Sequence, residues 1–112
     1  MNTVVVANEA TSTAEALSTL FTQDRSSVEA LGRSAPSALR VYDFLRDRIL
    51  ITPTRAATVL GLTWPTVQAA LDRLEALGIT KEVTGKKRDR IYAYQRQLKV
   101  LDKGTGTGPL GG

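Results

Sequence analysis

The chain has 112 residues, a net charge of +4 and an isoelectric point near 9.8, which suits one domain with appendages and favours an anionic partner. Because it contains no cysteine and no histidine, disulfides, zinc ribbons, histidine metal sites and histidine acid–base catalysis are excluded, and we expect neither a metal nor a cofactor. No apolar run approaches the roughly 18 residues of a membrane span, and the start of the chain lacks the basic character of a secretory signal. We therefore expect a cytoplasmic, bacterial-type protein without a membrane partner.

The first third of the chain predicts one long helix after a short start. Residues 1–7 are expected to be a disordered start, although Thr3–Val6 is β-prone and an edge pairing is the alternative. Residues 8–33 form a helical segment, because apolar residues recur at spacings of three and four without Gly or Pro until Gly32 ends the pattern. The polar run Asp24–Ser27 is expected to kink or break this helix. Its apolar stripe is too sparse to form a core alone, so residues 8–31 must pack on the following domain, on a second copy in a homodimer, or on a further domain.

Residues 34–103 are predicted to form the main domain, which begins with a capped helix. Ser34 or Ser37 caps this helix, and Pro36 lies in its first turn. A short strand is predicted at Ile51–Thr52. Residues 104–112 are rich in Gly and Thr and nearly uncharged, and we expect a disordered tail.

Two further helices in this domain are separated by a turn at Leu62. Thr52 caps the first of them, and small alanines allow the two helices to approach closely. Thr63 caps the second, which has Pro65 in its first turn and stops at Gly78. Its inward stripe consists of Val67, Ala70, Leu71, Leu74 and Leu77.

A basic hairpin follows this helix. Two strands are predicted at Ile79–Thr84 and Ile91–Tyr94, and they flank Gly85–Arg90, which we call the basic loop. Four of its six residues are Lys or Arg, a density that suits phosphate contact, although charged hairpins also serve to prevent aggregation. Either Ile91 and Tyr94, or Tyr92 and Tyr94, are expected to face the third helix of the domain.

The order of these elements predicts a mainly α (α+β) fold: a winged helix-turn-helix with a long N-terminal helix, a scaffold that commonly presents one helix and one basic hairpin to double-stranded DNA. Gln68 is suited to adenine, Ala69 to a thymine methyl group, and Arg73 to phosphate. A solvated surface is the alternative for these residues. Trp64 is expected to cover the edge of the domain or to pack on its first helix rather than to contact nucleic acid, and Asp72 is unfavourable near phosphate. The candidate DNA-binding residues are Thr66, Gln68, Ala69, Arg73, Lys86, Lys87, Arg88 and Arg90.

The chain from about residue 8 to residue 109 resembles the C-terminal region of bacterial Fic proteins, which transfer AMP to hydroxyl side chains of target proteins. The resemblance lies in the helix Ala10–Leu17, in Asp24-Arg25, in the winged helix that follows, and in the closing run Gln97–Thr105, which is similar to the family's terminal Tyr-Leu-x-Ile-Leu-x-x-Gly-Thr. The family's catalytic loop, His-Pro-Phe-x-x-Gly-Asn-Gly-Arg, is absent. The resemblance therefore implies an accessory region with no catalytic residues.

Three hypotheses of function follow. The first is a DNA-binding winged helix attached to an adenylyl-transfer domain. The second is a protein-interaction or dimerisation module with the same fold, and the third is a lid that positions substrates for such a domain. Salt-dependent binding to duplex DNA separates the first from the others, because phosphate contacts release counterions.

Overall fold

The computed structural model of the protein describes residues 2–88 and 90–105, with side chains from 12 to 88 and from 90 to 102. The described residues form a mainly helical α+β fold with one small antiparallel sheet, as the sequence predicts. The elements are α1 (Asn2–Glu29), a 3-10 turn (Gly32–Ser34), α2 (Ala35–Arg48), β1 (Leu50–Ile51), α3 (Pro53–Leu60), α4 (Trp64–Ala76), β2 (Lys81–Glu82), β3 (Tyr92–Ala93) and α5 (Gln95–Thr105).

Helices α3 and α4 begin at the predicted caps. The Thr52 hydroxyl accepts a hydrogen bond from the Arg55 N–H at 3.2 Å, and the Thr63 hydroxyl accepts one from the Thr66 N–H at 3.3 Å. Each helix has a proline in its first turn, where no N–H is required. Gly61 ends α3 in the left-handed region, with φ of +69°, which permits the tight turn into α4. These local signals place α3 and α4 side by side.

The strand before α3 lies one residue earlier than predicted. It is Leu50–Ile51 rather than Ile51–Thr52, because Thr52 serves as the cap of α3. Ile49, between α2 and β1, has a φ of +68°, which is strained for a β-branched residue. The Ile49 carbonyl accepts a hydrogen bond from the Tyr94 N–H at 2.8 Å. The strained residue therefore also joins the end of α2 to the residue that follows β3. At the other end of α2, Ser34 occupies the cap position but makes no side-chain cap bond.

The sheet has the order β1-β3-β2, with β3 in the centre. Ala93 pairs with both Leu50 and Lys81, and each strand is only two residues long, shorter than the predicted Ile79–Thr84 and Ile91–Tyr94. Tyr92 and Tyr94 are both buried. The Tyr92 hydroxyl meets α4, whereas Tyr94 contacts α1 and α2. Tyr94 is buried in the same hydrophobic cluster as Leu71 and Leu74 of α4, as predicted, but its hydroxyl bonds to α1 and α2.

The polar run expected to break the first helix instead attaches α1 to the rest of the protein. Asp24 is 1% exposed, and its carboxylate accepts hydrogen bonds from the Tyr94 hydroxyl at 2.6 Å and from Arg96 at 2.5 Å. Arg25 pairs with Asp43 of α2 at 2.5 Å. Because Asp24 and Arg25 have partners on α2, on α5 and at Tyr94 just after β3, their side chains do not compete for the helix backbone. Helix α1 is continuous from Asn2 to Glu29, including residues 2–7, for which disorder was expected.

A second tyrosine extends this cluster. The Tyr42 and Tyr94 hydroxyl oxygens are 2.8 Å apart. Since Tyr94 donates to Asp24, Tyr42 is the donor between them. Burial raises the pKa of both tyrosines above the ordinary value of 10, and for Tyr94 the hydrogen bond to Asp24 raises it further. Arg96 also donates to the Leu77 carbonyl at 2.9 Å, so one guanidinium joins α1 to the end of α4.

Helix α5 was not predicted. It packs against α1 and includes Gly104 and Thr105, which the sequence assigns to a disordered tail; residues 106–112 lie outside the described residues. Helices α2 and α5 both pack against α1, so part of the partner surface that residues 8–31 were predicted to need lies within this chain. The hydrophobic core lies beneath α1, α2, α4 and the sheet, and its largest fully buried members are Val28, Val41, Tyr42, Leu45, Val67, Leu71, Leu74, Ile79, Tyr92 and Tyr94.

Candidate nucleic-acid interface

The basic loop is held in place by one acidic residue. The Glu82 carboxylate accepts hydrogen bonds from the backbone N–H groups of Thr84 and Gly85, both at 2.7 Å, and from the Thr84 hydroxyl. These contacts, led by that from the Thr84 hydroxyl, lower the pKa of Glu82. Gly85 has a φ of +70°, and the Val83 N–H donates to the Ile91 carbonyl at 2.9 Å. The loop is therefore braced at its base, which gives its cations a defined location.

The four cations of the loop do not share one role. Lys86, Lys87 and Arg88 are exposed. Arg90 is half-buried, and its Nε donates to the Lys86 carbonyl at 2.7 Å. Arg90 therefore stabilises the loop from within. The three exposed cations are those that are available to an anionic partner.

An open cleft of about 500 Å³ lies between the basic loop and the first turns of α3 and α4. The loop contributes cations to one wall, and α4 contributes one stripe of side chains to the other. Its lining residues are Pro53, Thr54, Trp64, Gln68, Asp72, Lys87, Arg88 and Arg90. The cleft brings Gln68, one of the DNA-binding candidates on α4, to the same surface as three candidates of the basic loop, Lys87, Arg88 and Arg90.

The side-chain amide of Gln68 is already hydrogen-bonded to other residues of the protein. Its Nε2 donates to Asp72 Oδ1 and to the Tyr92 hydroxyl, both at 3.0 Å. An amide nitrogen carries two protons, so both are used and the carbonyl oxygen is the hydrogen-bonding group that remains. A bidentate contact with adenine needs one of those protons. Gln68 would therefore have to release Asp72 or Tyr92 in order to make it.

The other predicted residues of α4 lie on its opposite flank. Thr66, Ala69 and Arg73 line a second, smaller groove of about 290 Å³, together with Ser34 and Ser37. The Thr66 hydroxyl is 2.8 Å from that of Thr63, while Arg73 is exposed. The candidates thus form two groups, and the solvent-facing ridge of α4 separates them.

Trp64 and Asp72 are cleft residues that sequence reasoning assigned to other roles. Trp64 is 51% exposed, so half of this side chain faces solvent. With Gln68 they lie at positions i, i+4 and i+8, a spacing that places all three on one helical face. That spacing is visible in the sequence. The path of the basic loop, which determines what this helical face lies opposite, cannot be read from the sequence.

The charges of the cleft are not neutralised within the described part of the chain. The salt bridges found there join Arg25 to Glu29 and Asp43, and Arg96 to Asp24. No ion pair connects Asp72 to the basic loop among those residues. The cleft therefore presents a carboxylate on its helical wall and cations on its loop wall.

No protein-family model, curated protein or solved structure matches this chain. Within the described residues, no cluster of three or more acidic side chains is arranged to hold a metal ion. No described helix combines the length and apolar character needed to cross a bilayer.

Proposed function

We propose that this protein is a winged-helix module that binds double-stranded DNA through α4 and the basic loop. The observation that carries the proposal is that the exposed cations Lys87 and Arg88 line one open cleft with Gln68 of α4. A helix and a basic hairpin that share one surface are what duplex binding by this class of fold requires. The net charge of +4 adds a general attraction to phosphate.

Each group has a role in the proposal. Lys86, Lys87 and Arg88 contact phosphates, since they are exposed and no described carboxylate pairs with them. Arg73 contacts the backbone from the other flank of α4, beside Thr66 and Ala69. Arg90 maintains the loop and makes no obligatory contact with DNA.

The test is a titration of labelled duplex DNA at about 50 and about 200 mM salt. Lys87→Ala with Arg88→Ala removes two cleft cations and leaves the bracing residue Arg90 intact. We expect this variant to bind every sequence more weakly and to lower the slope of log affinity against log salt by roughly two, because each phosphate contact contributes about 0.9. Arg33→Ala with Lys99→Ala removes two exposed cations outside the cleft and should leave that slope nearly unchanged.

Absence of duplex binding by the wild type at low salt would refute this function. So would equal losses in the two double variants, because binding would then follow total charge and not the cleft. Either result would favour the alternative, a protein-interaction or dimerisation module, for which much of α1 between Ser12 and Thr19 is exposed. Sedimentation of the wild type would then show whether a second copy covers that segment.

We further propose, from the resemblance noted above, that this module is the C-terminal accessory region of a Fic-type protein. The support is the run Gln97–Thr105 and the helix Ala10–Leu17, which belong to α5 and α1, two helices that pack together. The residues encoded next to this region in its source genome provide the test, since the resemblance implies a catalytic loop with the motif His-Pro-Phe-x-x-Gly-Asn-Gly-Arg.

A further inference from the structure

The cleft between α4 and the basic loop contains more chemistry than phosphate binding uses. A purely phosphate-binding groove gains nothing from an aromatic ring and is weakened by a carboxylate, yet this cleft contains Trp64 and Asp72. Its volume of about 500 Å³ lies within the range of sites for small ligands, roughly 300–1,000 Å³. Phosphate binding therefore does not account for either side chain, and a ligand that uses both must carry further chemical groups.

Trp64 offers a stacking surface. Half of this large aromatic side chain is exposed, 51%, and it lies at the start of α4 beside the cations of the loop. A nucleobase stacks on such a ring irrespective of sequence, because every base has an aromatic face. The neighbouring Lys87 and Arg88 are suited to the phosphate of the same nucleotide.

The helical wall next to Trp64 selects for hydrogen-bond donors. Both amide protons of Gln68 are engaged by Asp72 and Tyr92, which leaves the Gln68 carbonyl oxygen as the group able to accept a further bond. Asp72 is exposed, and when ionised its carboxylate only accepts. This wall therefore complements the edge of a base that carries adjacent N–H groups.

Guanine is the base whose Watson–Crick edge has two adjacent donors, the N1–H and the N2 amino group, and a carboxylate accepts both at once. Adenine and cytosine place a ring acceptor beside their amino group, and thymine has one N–H between two carbonyls. Trp64 and Asp72 are two helical turns apart, about 12 Å along the axis, and the Asp72 side chain leans back toward Trp64. That spacing suits a purine which stacks at one end and is read at the other.

We propose that the cleft binds an unpaired guanine nucleotide, with its base stacked on Trp64, its Watson–Crick edge on Asp72 and its phosphate on Lys87 and Arg88. The ligand is then complementary to the cleft, because its hydrogen-bond donors face the carboxylate and its phosphate faces the cations. The proposal rests on the proposed function in that the same loop cations bind the nucleic-acid backbone. It adds a preference for a guanine that is free of its pairing partner, whether in a strand or as a free nucleotide.

The experiment compares a blunt DNA hairpin with the same hairpin that carries one unpaired 3′ dG, dA, dT or deoxyinosine, and with dGMP alone. Trp64 is the only tryptophan in the chain, so its fluorescence reports on the cleft directly, and anisotropy of labelled hairpins gives affinities. We expect the dG extension to quench Trp64 and to bind about 5- to 150-fold more tightly than the blunt hairpin, the range that stacking of one base supplies. Deoxyinosine lacks the N2 amino group and should lose part of this gain.

Three variants separate the contributions. Trp64→Ala should remove the gain from the extension, and Trp64→Phe, which retains an aromatic face, should keep part of it. Asp72→Asn should have opposite effects on two ligands: it removes a charge that repels phosphate and so tightens the blunt hairpin, but it abolishes the preference for dG over deoxyinosine. Asp47→Asn makes the same change of charge in α2, outside the cleft, and should keep the guanine preference.

The outcomes distinguish the two proposals. If blunt and dG-extended hairpins bind equally and Trp64 is not quenched, the guanine site is refuted and duplex binding stands. If dGMP quenches Trp64 in an Asp72-dependent manner but no hairpin binds, the guanine site stands with a free nucleotide as ligand, and duplex binding is refuted. If no ligand binds, both are refuted. Equal preference for dG in the wild type and Asp72→Asn also overturns the assignment of guanine.

Discussion

Replacement of Tyr94 by Phe tests whether the Asp24 cluster fixes α1 to the protein. The Tyr94 hydroxyl donates to Asp24 at 2.6 Å and lies 2.8 Å from the hydroxyl of Tyr42. A hydrogen bond to a charged group contributes about 1.5–3 kcal/mol and a neutral one about 0.5–1.5 kcal/mol. Tyr94→Phe should therefore lower the free energy of unfolding by about 3 kcal/mol, a large part of the roughly 5–15 kcal/mol typical of a domain.

Tyr92→Phe is the matched control. Tyr92 is 1% exposed and Tyr94 is 0% exposed, so the two substitutions delete the same group at equal depth. The Tyr92 hydroxyl, however, accepts only one described hydrogen bond, from the neutral amide of Gln68 at 3.0 Å. Its loss should therefore cost about 1 kcal/mol.

Urea unfolding followed by circular dichroism measures both changes. With a denaturant slope of about 2 kcal/mol per molar, the midpoint should fall by about 1.5 M for Tyr94→Phe and by about 0.5 M for Tyr92→Phe. Amide exchange in α1 should also accelerate more in Tyr94→Phe, because Asp24 then keeps Arg96 but loses its hydrogen bond from Tyr94. Equal costs for the two variants, or unchanged exchange in α1, would refute the argument that Asp24 anchors this helix.

Two further predictions concern the same cluster. Because the pKa values of Tyr94 and Tyr42 are raised above 10 in the folded state, their protonated forms are favoured by folding. The contribution of these two tyrosines to stability should be constant below about pH 10 and should be lost as the pH rises above it, by at most about 1.4 kcal/mol per pH unit for each tyrosine. Urea midpoints across this range should show a shallower alkaline decline in Tyr94→Phe, and an identical decline would contradict the assignment. Gly78→Ala should destabilise the protein more than Gly61→Ala. The two glycines have similar left-handed backbones, with φ of +80° and +69°, but their surroundings differ. A Cβ at Gly78 would lie 2.9 Å from Arg96 Nη2, whereas nothing lies within 4 Å of a Cβ at Gly61. We expect about 1 kcal/mol at Gly61 from the left-handed backbone and clearly more at Gly78, measured by the same unfolding curves, and equal losses would show that Arg96 moves aside freely.

The parts of the fold that were predicted correctly depend on neighbouring residues. Thr52 with Pro53, and Thr63 with Pro65, specify the starts of α3 and α4 through hydrogen bonds that span three residues. Gly61 ends α3 for an equally local reason. Such signals are complete within a short stretch of sequence, so they do not depend on the rest of the fold.

The parts that were missed depend on distant residues. Asp24 lies 70 positions from Tyr94 and 72 from Arg96, and without these partners a buried aspartate in mid-helix resembles a helix breaker. Helix α5 was missed because its apolar positions are few and its stabilising surface is α1, at the other end of the chain. In the candidate site, the basic loop was found from its composition. The engagement of Gln68 with Tyr92 depends on strand register, which alternation alone left open.

Because α1 is uninterrupted, a tilt at one end of the helix produces a larger displacement at the other end. Its carboxyl-terminal part is fixed by Asp24 and Arg25, and from Asp24 the helix extends back past Ser12, about 18 Å at 1.5 Å per residue. A tilt of about 10° at the fixed end would move Ser12 by about 3 Å over that length. Because Arg96 joins Asp24 to the end of α4, small movements of the helix beside the cleft would appear enlarged at the far end of α1.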